Sequence, residues 1–136
     1  VGTVIWNKAN KFSHFTKLSH AEQTFVFIDI FESEINNNGL FGFFYNASGE
    51  YAHEVLQAFI EIKAHESASI IATAIRVFKT LPIPKAILDR RREINLLHKE
   101  DLEVWTQLEF ELIESKENII KLLIDYIAHR KTNFEY

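Results

Sequence analysis

The chain has 136 residues, 47% of them hydrophobic and 25% charged, and a formal net charge of −4. That length suits one domain around one core, and the balance excludes a fibre, a disordered tail and a strongly basic nucleic-acid binder. Cysteine is absent, which excludes disulfides, thiolate catalysis and cysteine metal sites. No signal-peptide pattern opens the chain, and no apolar run approaches the ~20 residues of a spanning helix, so it reads as soluble, and the lack of cysteine fits a reducing cytoplasm.

Residues 1–17 carry the weakest pattern. Thr3, Val4, Ile5 and Trp6 suit a short strand or an apolar arm, while Lys8, Lys11 and Lys17 suit a solvated connection. The first helix starts at Ser19, where Ser19-His20-Ala21-Glu22 forms a capping box: the hydroxyl takes an early N–H and Glu22 reaches back. Phe25, Ile28, Phe31, Glu32 and Ile35 then recur at helical spacing, with Phe27 and Ile30 widening the apolar face. The expected end of this helix is the run Asn36-Asn37-Asn38.

The stretch from Glu34 to Gly49 organises the rest. Asparagine side chains compete for backbone hydrogen bonds and tolerate left-handed backbone, and Gly39 and Gly42 tolerate positive φ. Phe41, Phe43, Phe44 and Tyr45 carry enough apolar surface to anchor the stretch in a core. It therefore reads as a short aromatic helix or turn over residues 40–45, between two longer helices. Two readings compete for it: a pocket in which amides bind a ligand that the rings stack on, and a buried turn. The second is favoured, because asparagines in turns usually satisfy nearby groups.

Ser48 is expected to cap a helix running to Ile62. A break over residues 63–66 precedes a small-residue helix, 67–79, and Ala64, Ala68 and Ala72 fall four apart across its start. Pro82 and Pro84 end it, since proline cannot sit in a helix interior. Helical spacing resumes over residues 85–99, 100–115 and 117–131. The expected fold is all-α, a single compact bundle of about six to seven helices. It forms one helical domain over residues 1–136, an arm at 1–17 and a body at 18–136.

Charge is unevenly placed. Residues 76–99 hold seven Lys/Arg against two acids, and residues 100–117 hold seven acids against one lysine. At ~100° per residue, Glu100, Glu103, Glu111 and Glu114 share one helix face, with Leu102, Trp105, Leu108, Leu112 and Ile113 opposite. Such a row can imitate spaced phosphates; the plainer reading is a solvated face, some of it paired with Arg90, Arg91 and Arg92. Glu109 falls near the apolar stripe, as either a paired buried acid or a sign that the helix is rotated. The arginine triplet is also a candidate phosphate grip, a weak one without interleaved aromatics.

Catalysis finds little support. His14, His20, His53, His65, His98 and His129 are scattered, with no H-E-x-x-H, no G-x-S-x-G elbow and no phosphate-cradling loop. No catalytic residue, metal ligand or cofactor is assigned. Asn46-Ala47-Ser48 matches a glycosylation acceptor by accident of a helix cap.

Asn36, Asn37, Gly39, Phe43, Phe44, Asn46, Ser48 and Gly49 resemble the pattern of a bacterial all-helical domain family of uncharacterised role. The same family supplies the C-terminal domain of an acidic DNA-mimic protein. Residues 56–64, the Pro82/Pro84 region with Asp89 and Arg92, and Tyr126-Ile127 extend the resemblance. Asn38 stands where the family has the first Gly of a Gly–Gly pair, and Leu40 where it has Phe. Gly42 replaces a commonly polar residue, and Lys63 the Gly before Ala64. The resemblance implies a non-enzymatic protein-interaction domain whose partner is another protein, such as a DNA-binding regulator. The alternatives are a small-ligand or enzymatic domain using residues 36–49, and a nucleic-acid binder through Arg90–Arg92.

Overall fold

A computed structural model describes residues 19–129. The arm at 1–17 and the frayed end at 132–136 lie outside those residues. Among the described residues six α-helices follow one another: α1 His20–Tyr45, α2 Ala52–Glu61, α3 His65–Ile75, α4 Ile87–Asn95, α5 Lys99–Glu114 and α6 Ile119–His129. A short 3-10 helix, Ala47–Tyr51, joins α1 to α2. Among the described residues there is no strand, and the all-α expectation holds.

The start of α1 follows the predicted capping box. Ser19 Oγ accepts from the Glu22 N–H at 3.2 Å, and the Ser19 N–H donates to Glu22 Oε1 at 2.9 Å. The helix does not stop at the asparagines. It runs through them and breaks at Gly39 (φ 70°, ψ −175°), so residues 40–45 form a second short helical piece continuing from a kink. Glycine adopts that backbone without the Cβ penalty an L-residue meets.

Behind the kink, aromatic rings join the elements. Phe31 meets Phe43 and Phe59 edge-on, with centroids 5.0 and 5.3 Å apart. Phe44 stacks on Trp105 at 4.8 Å and meets Phe78 at 5.3 Å. The indole N–H of Trp105 donates to the Ala74 carbonyl at 2.9 Å, so this buried ring leaves no polar group unpaired. One core cluster thus collects side chains from α1, α2, α3, α4 and α5, with Tyr126 of α6 added at its edge.

Two local expectations change. Ser48 caps nothing: its hydroxyl donates to the Phe43 carbonyl at 2.9 Å, and the chain around it is 3-10 rather than α. The small-residue helix begins earlier and ends earlier than the 67–79 reading, at His65–Ile75. The end of α2 explains the earlier start. The Ala64 N–H bonds the Phe59 carbonyl and the Lys63 N–H bonds the Ile60 carbonyl, with Lys63 at φ 65°. That is a Schellman closure with a lysine in the left-handed position, and it lets α3 start two residues on.

Candidate functional site

The kink places an acid from α5 against α1. A helix restarting after a break exposes unpaired N–H groups at its new start. Glu109 reaches across from α5, and its Oε1 accepts the Leu40 N–H at 2.8 Å. Glu109 is therefore the paired acid, and α5 keeps the rotation projected for it except at Ile113, which was expected on the apolar side and is exposed. A Cβ on Gly39 would meet the same carboxylate oxygen, so both the backbone angle and the space require glycine there.

The asparagines act differently from the expectation that they satisfy backbone groups. Asn38 and Asn46 both donate side-chain amides to Glu34 Oε1, at 3.3 and 2.8 Å. Asn36 and Asn37 are exposed. Phe43 and Phe44 are fully buried, and Gly49 is packed so closely that a Cβ there would press on Arg90 and the Phe44 carbonyl. The family-pattern residues thus divide into a packed hinge and an exposed amide edge.

Arg90 is the largest correction. Rather than offering a cation to phosphate, it is buried, and burial pulls its pKa below the ordinary value while nearby Glu50 opposes that. Its guanidinium donates to four carbonyls: Phe44 at 2.6 Å, Asn46 at 2.7 Å, Lys85 at 2.8 Å and Pro84 at 3.2 Å. Arg91 donates to the Tyr45 carbonyl at 2.9 Å and lies over the Tyr45 ring. Together they close the C-terminal end of α1, where carbonyls lack intrahelical partners and the helix dipole favours cations. Only Arg92 of the three is exposed, so the triplet forms no contiguous cationic surface.

The seven acids of residues 100–117 sort by a physical rule. Three accept backbone N–H groups at helix starts. Asp101 takes the His98 N–H at the beginning of α5, at 3.0 Å, and that bond leads the causes holding its carboxyl below the usual range. Glu109 takes Leu40. Glu117 takes the Glu66 and Ser67 N–H groups at the start of α3, at 2.9 and 2.8 Å. Burial would raise the Glu117 pKa, but those hydrogen bonds outweigh it and hold the carboxyl low. The other four are Glu100, Glu103, Glu111 and Glu114. All are exposed, and none makes an ion pair or hydrogen bond among the described residues. The pairing expected with the arginine run does not occur. Val104, Phe110 and Ile113 lie exposed on the same helix.

Sequence reasoning missed one further feature. A groove of about 700 Å³ opens between α1, the end of α5 and α6. Its lining includes Phe25, Ile28, Leu112 and Leu123, together with Asp29 and Glu32. Burial raises both carboxyl pKa values. Of residues 36–49, only Asn36 lines it. The available signal was Glu32 falling on the apolar stripe of α1.

These features describe an all-α bundle whose internal acids and arginines close helix ends, and whose unpaired acids include four along one face of α5. Among the described residues, no three His, Asp or Glu side chains are grouped to hold a metal, and no helix is long and apolar enough to cross a membrane. The chain belongs to the DMP19-like protein family, whose model matches residues 16–130. DMP19 is a DNA-mimic protein family, in agreement with the resemblance carried by the Asn/Gly/Phe segment. No curated protein and no solved structure matches the chain.

Proposed function

We propose that the chain is a non-enzymatic protein-interaction domain that works in the cytoplasm without a cofactor. It presents Glu100, Glu103, Glu111 and Glu114 to the basic surface of a DNA-binding regulator, in the manner of a DNA mimic. The observation that carries this reading is the sorting of the acids of α5 and its end. Every one engaged in folding binds a helix start, and the four left over share one exposed face.

A helix rises 1.5 Å per residue, so the two glutamate pairs stand roughly 16 Å apart along α5. Spaced carboxylates on a rigid rod suit a surface built for phosphates, because both are fixed anions that lysine and arginine can meet. Exposed Phe110, four residues before Glu114 and seven after Glu103, adds apolar area at the edge of that face.

The test is an affinity capture from the native host with the full chain and with a variant carrying E100Q, E103Q, E111Q and E114Q. The expected result is a DNA-binding partner retained by the first, lost by the second and weakened as salt rises. An identical partner list from both proteins would remove the acidic face from consideration.

A further inference from the structure

The geometry points to a second binding site, distinct from the acidic face: the groove between α1 and α6 takes a small organic cation with an apolar body. Three observations converge there. The first is size. About 700 Å³ is in the range of pockets that enclose small ligands, ~300–1,000 Å³, and exceeds what one lysine or arginine side chain would fill.

The second is the wall. Phe25, Ile28, Leu112 and Leu123 supply aromatic and branched aliphatic surface from three helices, which favours a ligand with a ring or a branched chain. The third is unbalanced charge. Asp29 and Glu32 are one turn apart on α1 and both line the groove. Neither makes an ion pair or hydrogen bond among the described residues. Partly desolvated carboxylates without a counter-ion are costly, and a ligand ammonium would relieve both at once.

The other charged groups of the groove do not supply that counter-ion. Glu117 has both oxygens engaged by the start of α3, and Lys116 stands exposed at the rim without an ion pair. A free acid would meet three carboxylates there and be disfavoured. The occupant is therefore an amphipathic amine, bound apolar end inward along the Leu112 and Leu123 wall with its ammonium at Asp29 and Glu32.

Calorimetric titration of the full chain with tryptamine, phenethylamine and indole-3-propionate tests this. At least one amine should saturate at one site, while indole-3-propionate, with the same ring body as tryptamine and the opposite charge, should not. D29N and E32Q should each weaken the amine about tenfold, the scale of one charge-assisted hydrogen bond. Their folds should be intact by circular dichroism, because each replaces a strained carboxylate by a neutral isostere. Failure of both amines to saturate, equal binding of the acid, or affinity unchanged in both variants would each overturn the assignment. So would two rival results: saturation only by a basic amphipathic peptide, or self-association by sedimentation that D29N abolishes. The acidic-face variant should keep full amine binding, so this result and the capture experiment succeed or fail separately.

Discussion

The basic run at Arg90–Arg92 and the acidic run on α5 are neighbours in the chain and opposites in the fold. Arg90 lies inside, with its guanidinium donating to four carbonyls, while Glu100, Glu103, Glu111 and Glu114 lie outside and bond to nothing described. Formal charge counted along a chain treats the two runs alike. What separates them is the supply of unpaired backbone groups nearby. The kinked α1 ends at Tyr45 with open carbonyls, and a planar fork of donors closes several at once. The face of α5 that points away from the core meets no helix end, so its carboxylates keep their water.

On that contrast the largest effect belongs to Arg90. Arg90→Met should cost about 3–5 kcal/mol, because four carbonyls lose a buried charged donor. Arg90→Lys should recover little, since an ammonium cannot reproduce the fork. Urea unfolding followed by circular dichroism measures both. Arg92→Ala, on the exposed side of the same triplet, should leave the midpoint nearly unchanged, and a large loss there would break the inside–outside distinction.

Glu109 carries the same contrast within α5. Glu109→Ala should cost about 1–3 kcal/mol by leaving the Leu40 N–H without its acceptor, whereas Glu111→Ala should stay within roughly 0.5 kcal/mol. Gly39→Ala should cost about 2 kcal/mol or more, since the left-handed backbone penalty adds to displacement of the Glu109 carboxylate. The double variant Gly39→Ala with Glu109→Ala should lose less than the two single costs combined, because the clash vanishes with the side chain.

Much of the helical frame was legible in the sequence. The capping box at Ser19 and the prolines at 82 and 84 act within a few residues, and local rules reach that far. Ser48 misled because a serine before an apolar run looks alike whether it caps an α-helix or donates to a carbonyl five residues back. The roles of Arg90 and Glu117 were not legible at all. Arg90 reaches Phe44 and Asn46, 46 and 44 residues away, and Glu117 reaches Glu66 and Ser67, 51 and 50 away, and no spacing rule links such positions. Glu32 on the apolar stripe was a visible clue to the groove, but its meaning depends on what α6 leaves uncovered.

Acidity separates the engaged and unengaged acids in a way that has a sign. Glu117 has a lowered folded pKa, so its contribution is present above the unfolded carboxylate range and is lost as pH falls through the folded value. Asp29 and Glu32 have raised folded values, so their cost is absent at low pH and appears as pH rises past the unfolded carboxylate range. Glu117→Gln should therefore lower the melting temperature at neutral pH, and E32Q should raise it. Both differences should vanish near the acid end of a pH series. A difference of the same sign in the two variants would contradict the assignment of one carboxylate to a helix start and the other to an unfilled groove.

Lys63 allows a gentler test of backbone control. Its φ of 65° is one that glycine adopts freely, and the family resemblance puts glycine at this point. Lys63→Gly should stabilise the fold by about 0.5–1 kcal/mol, the relieved left-handed penalty exceeding the extra chain entropy of glycine.

The smallest expected effect tests the functional reading most directly. Changing Glu100, Glu103, Glu111 and Glu114 to Gln together should move stability by no more than about 0.5 kcal/mol per site, and the net sign should be favourable at low salt. Four like charges along one helix repel, and none has a partner to lose. A marked loss of stability would mean these side chains hold the fold through contacts not seen among the described residues. Unchanged stability joined to lost capture of a DNA-binding partner would show charge retained at slight cost to the folded helix. Such retention makes sense when the charge is needed by something outside the chain, since none of the four carboxylates has a partner among the described residues.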